Sequence, residues 1–134
     1  MTITKLYDFA VQNNIDVFPF ALNGCESLSL LEDGECFVAI DPYKIASNAD
    51  EKVKLAHELG HCEMGAFYNV FSPFDIRSKH EHTANKWAIK KLIPEDELKE
   101  ACKFCSNCWE LSEYFGVTED FMQRTLKYYK EYKG

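Results

Sequence analysis

His57-Glu58-Leu59-Gly60-His61 is the stretch whose residue types and spacing point most directly to chemistry. It has the form H-E-x-x-H. On a helix, positions i and i+4 share one face, so His57 and His61 can aim ring nitrogens at a single metal ion. Glu58 lies about 100° around from His57 and about 60° from His61. It flanks the ion without binding it, which suits a general base for water activated there. Gly60 costs a helix interior about 1 kcal/mol, so its presence predicts a close backbone approach.

A hydrolytic zinc site takes three protein ligands and keeps one position open. A third histidine of the H-x-x-G-x-x-H kind is missing. The chain continues Cys62-Glu63-Met64-Gly65, with Phe67 and Tyr68 where that histidine would fall. A second helix must supply the ligand. Glu81 is the best candidate, 20 residues after His61. Glu81, Asn85, Ala88 and Leu92 share one face, and the small Ala84 and Ala88 allow close approach to the first helix. Asn85 would accept the free N–H of a ligand histidine. His80 and His82 are rivals, each about 100° around from Glu81. Glu81 has a plainer role open to it, completing a capping box with Ser78. His82 and Tyr68 are candidates for stabilising an oxyanion, against surface and core roles respectively. Two histidines and a carboxylate suit zinc, with manganese second.

The elements around these residues follow from periodicity. Ile3, Leu6, Tyr7, Ala10 and Val11 predict a helix over 3–13. Apolar runs at 28–31 and 36–40 flank Asp33-Gly34, a hairpin signal. Val17 to Phe20 adds an edge strand limited by Pro19. Asn48 and Glu51 read as a capping box opening the H-E-x-x-H helix, which runs to about residue 64. A Phe- and Tyr-rich loop follows at 65–77. Its Phe67, Tyr68, Phe71 and Phe74 are expected in the core, with a substrate groove as the alternative. A second helix opens at Ser78 and stops before Pro94, which suits the first position of the next one. Two further helices divide near Gly116. The expected fold is α+β and zincin-like: a small antiparallel sheet of about three strands, about five to six helices, and the H-E-x-x-H helix in the core.

Length and charge bound the rest. A chain of 134 residues suits one domain with its own core. Its net charge is −7, and residues 1–50 hold eight acids against two lysines. No clustered basic surface is available for nucleic acid. The longest uncharged stretch, Met64 to Phe74, is 11 residues, too short to span a membrane. The first 20 residues lack a basic stretch followed by an apolar core, so a cytoplasmic location is expected. The six cysteines then read as free thiols. Cys102, Cys105 and Cys108 lack a fourth metal ligand and fit one helix stripe. Residues 107–130 have helix-turn-helix shape, but Glu119 and Asp120 open the second helix and would repel phosphates. Packing against the main body is expected instead.

The run from Ala56 to Leu98 resembles the ImmA/IrrE family of metallo-endopeptidases. The matching residues are His57-Glu58-Leu59-Gly60-His61, Gly65-Ala66-Phe67-Tyr68-Asn69, Glu81-x-x-Ala84-Asn85-x-Trp87-Ala88 and Leu92-Ile93-Pro94. Cys36 to Pro42 also fits. The resemblance implies zinc ligands His57, His61 and Glu81, with Glu58 as catalyst. It implies a selective intracellular protease that cleaves a phage-type or mobile-element repressor of helix-turn-helix type. The length corresponds to the short, prophage-type form, a single domain over 1–134 without a sensor-like extension. The competing reading, from another class, is a non-proteolytic metal-containing anti-repressor that binds stoichiometrically. The retained Glu58 argues against it, since a purely structural site has no use for a base.

Overall fold

The computed structural model describes residues 1–69 and 71–133. Among them the order is α1 (Ile3–Gln12), β1 (Asp16–Pro19), β2 (Ser27–Glu32), β3 (Glu35–Ile40), α2 (Asn48–Met64), α3 (Arg77–Leu92), α4 (Glu95–Ala101), α5 (Cys108–Phe115) and α6 (Glu119–Lys133). The fold is α+β.

The sheet order is β1-β3-β2. β2 and β3 form the expected antiparallel hairpin, with Asp33 and Gly34 both at positive φ (52° and 79°) in its two-residue turn. The sheet is mixed rather than wholly antiparallel, because β1 lies parallel to β3. The chain leaves β1, crosses to the far edge as β2, and returns through the centre as β3. That crossover sets the direction of β1 and has no signature in the strand's own residues.

Ser47, not Asn48, caps α2, accepting from the Asp50 N–H at 3.1 Å. Asp50 and Glu51 occupy the first turn, where the helix dipole favours acids. Gly65, left-handed at φ 59°, ends the helix. Leu55, Ala56 and Leu59 are fully buried, so α2 is the central helix of the core. α3 starts at Arg77 with no side-chain cap, so Ser78 and Glu81 form no capping box and the Glu81 carboxylate is free for other work. A Cβ placed on Gly60 would lie 2.6 Å from the Ala84 carbonyl oxygen. Only glycine permits α3 to lie this close to α2.

The last three helices close the core from the other side. Pro94 caps α4 rather than beginning it, and Asn107 caps α5. Phe115, Val117, Phe121 and Met122 join the same buried cluster as Leu55 and Leu59. The Tyr129 hydroxyl donates to the Ile93 carbonyl at 2.6 Å. Buried Lys52 of α2 donates to the Phe115 carbonyl at 2.6 Å, satisfying the end of α5. The helix-turn-helix-shaped segment is thus packed by its apolar residues onto the body that carries α2.

Two cysteine expectations are corrected. Cys36 of β3 and Cys62 of α2 form a disulfide, with Cα atoms 5.8 Å apart. Packing of α2 on β3 brings them within bonding reach, which a compartment argument from sequence could not register. Cys102, Cys105 and Cys108 do not share a helix stripe; they span the end of α4, a turn and the start of α5.

Candidate metal centre

α2 and α3 bring three ligand atoms to one point. His57 Nε2 lies 3.2 Å from His61 Nε2. The Glu81 carboxylate reaches both, Oε2 at 2.9 Å from His57 Nε2 and Oε1 at 3.1 Å from His61 Nε2. The other ring nitrogens are already engaged. His57 Nδ1–H donates to Asn85 Oδ1 at 2.7 Å, and His61 Nδ1–H to the Ala66 carbonyl at 2.5 Å. With Nδ1 of each ring engaged in this way, Nε2 is the atom each turns toward its neighbour and toward the carboxylate. Acceptors that converge in this way fit a cation. Among the described residues, His57, His61 and Glu81 form the one group of such side chains able to hold a metal ion.

Glu58 is buried beside them and does not join the group. Its Oε2 accepts from the Ser27 hydroxyl at 2.7 Å, a bond from the first residue of β2. Ser27 was not legible in the sequence, since a serine 31 positions away carries no motif. Arg77, which also lines the cleft, was missed for the same reason.

The site opens into a cleft of roughly 870 Å³ between β2 and the 65–76 loop. Tyr68 and His80 line it. His80 is held by Asp75 through a 2.5 Å Nε2–Oδ1 contact and stands outside the ligand group. His82 lines a different cavity, with Arg124 and Lys127 of α6. Residue 82 is turned by one helical step from Glu81, enough to remove it from the cleft. The aromatic loop also departs from expectation. Phe71 and Phe74 are almost wholly exposed, and Tyr68 partly so, outside the buried cluster. Asp75 ties this loop down, accepting from the Asn69 N–H at 2.7 Å. That backbone bond, followed by His80, holds the Asp75 carboxyl below its ordinary value.

The model of the IrrE N-terminal-like domain, a peptidase family, matches residues 26–127. The chain belongs to that family. The match covers β2, β3, the two helices that carry His57, His61 and Glu81, and most of α6. Family membership gives the chain a metallopeptidase-like function, with peptide bonds of a protein as the substrate class. No curated protein and no solved structure matches the chain. Among the described residues, no helix is long and apolar enough to cross a membrane.

Proposed function

We propose that the chain is a cytoplasmic zinc-dependent endopeptidase, a single domain over 1–134, that cleaves a phage-type or mobile-element repressor of helix-turn-helix type. The observation that carries the reading is the buried Glu58 carboxylate beside the convergent His57, His61 and Glu81 atoms. His57 and His61 would hold zinc through Nε2 and Glu81 through its carboxylate. When bound, zinc supplies Lewis acidity, polarising a carbonyl and making water a stronger nucleophile near neutral pH. Glu58 takes the proton from the attacking water and delivers it to the leaving amine nitrogen. Ser27 fixes the carboxylate for that transfer by donating to Oε2. Asn85 and the Ala66 carbonyl keep the imidazoles in the tautomer that leaves Nε2 bare. Tyr68, at the cleft wall, is the remaining candidate for oxyanion stabilisation.

β2 is an edge strand, and Leu28, Ser29 and Leu30 line the cleft. An extended substrate segment pairing with this edge would run past Glu58. The test is zinc content of the wild type beside Glu81→Ala, followed by incubation of a candidate repressor with substoichiometric protein. One zinc per chain, lost in the variant, with multiple turnovers of repressor, is expected. Zinc binding with repressor inhibition but no cleavage would replace this reading with stoichiometric anti-repression.

A further inference from the structure

The sheet has two faces, and α2 covers one. Ser27 and Cys36 point to that side, where they meet Glu58 and Cys62. The alternate residues point away. Register sets Phe18 and Leu28 on either side of Ala39, and Leu30 beside Phe37. Phe20 extends the row, its ring edge-on to Phe18 at 6.3 Å. These side chains meet solvent: Phe18 is 38% exposed, Phe20 58%, Leu28 37% and Leu30 49%. A contiguous apolar surface of this kind on a folded protein marks a place where something binds.

Charge and position indicate what binds. Asp16, Glu32 and Glu35 lie on the same face toward the hairpin end, all exposed. Among the described residues none of the three is in an ion pair. Residues 16–40 contain no lysine or arginine. A second copy would bring one acidic face, without lysine or arginine to offset it, against another like itself, which like-charge repulsion disfavours. The face is also continuous with the cleft, because Leu28 and Leu30 belong to both.

We infer that the outer sheet face docks a protein partner through an apolar surface bordered by lysines or arginines. On the proteolytic reading above, on which this rests for its biological meaning, that partner is the substrate. Docking on the face holds it alongside β2 while a neighbouring segment enters the cleft.

The probe is a fluorescein-labelled amphipathic peptide of leucine and lysine, compared with a leucine–glutamate counterpart. Both are titrated into the full zinc-loaded chain carrying Glu58→Gln, which prevents cleavage. The lysine peptide should bind, more weakly as salt rises, and shift amide resonances of β1, β2 and β3. Leu30→Lys should weaken it about tenfold or more, and the milder Leu30→Ser in the same direction. Equal binding of the two peptides, or an affinity unchanged by both substitutions, overturns the inference. So does a wild-type dimer that Leu30→Lys makes monomeric, which would assign the face to a second copy. Peptide docking by a protein that binds no zinc would leave the surface standing and remove the proteolytic reading alone.

Discussion

His57 and His61 are each fixed at Nδ1 by a different part of the chain, one by a side chain of α3 and one by a loop carbonyl. Removing the Asn85 amide frees the His57 ring to rotate and to change tautomer. Asn85→Ala should therefore weaken zinc binding about 10–100-fold while leaving the fold intact, as read by competition with a chelator. An unchanged affinity would mean that packing alone orients His57. That His57, His61, Glu81 and Asn85 come together was legible in the helix periods of the sequence. Helical spacing fixes His57 against His61, and one turn separates Glu81 from Asn85. Ser27 is not legible, because it reaches Glu58 only after β2 has been laid against α2. The exposed Phe71 and Phe74 escaped for the converse reason: hydrophobicity predicts burial, but their loop holds them outside the buried cluster.

At the scale of elements, the site is a junction of two helices and a loop. Gly60 sets the distance between α2 and α3. Adding a methyl group against a backbone oxygen costs about 1–3 kcal/mol in overpacking. That exceeds the roughly 1 kcal/mol that alanine gains in helix propensity. Gly60→Ala should lower the melting temperature and, by moving Glu81 outward, weaken zinc binding; a more stable variant would show that α3 yields freely. The loop has its own dependence on pH. Asp75 has a folded pKa below its ordinary 3.8. It therefore stabilises the loop fully above that ordinary value, and the contribution is lost as pH falls through the lower folded value. Hydrogen exchange at the Asn69 amide should be protected at mild acidity and lose protection at stronger acidity. Asp75→Asn should remove the transition. Helices and the hairpin were readable from period and turn residues. The direction of β1 was not, because it depends on the route between strands.

For the whole molecule, the Cys36–Cys62 bond joins the sheet to the central helix across a sequence separation of 26. A loop of that size implies about 3.5 kcal/mol of stabilisation through the unfolded chain. The buried cluster from α1 to α6 does not depend on it. Reduction, or Cys36→Ser with Cys62→Ser, should lower unfolding stability by about that amount and leave a cooperative transition in urea. Collapse to a non-cooperative state would mean that the core needs the bond. A covalent pairing between two distant cysteines had to wait for three dimensions, because only the packing of α2 on β3 brings Cys36 and Cys62 together. The two-residue tip at Asp33-Gly34 lies at the far end of β2 from Ser27, yet it governs the strand's chemistry. Pairing by alternation means that a slip of one position would exchange every side chain across the sheet. Leu28 would then meet Glu58, and Leu30 would leave the outer face. The tip is free to vary in composition wherever a tight left-handed turn survives, but a change of length that shifted the register by one would cost Glu58 its Ser27 partner and the outer face its leucines together.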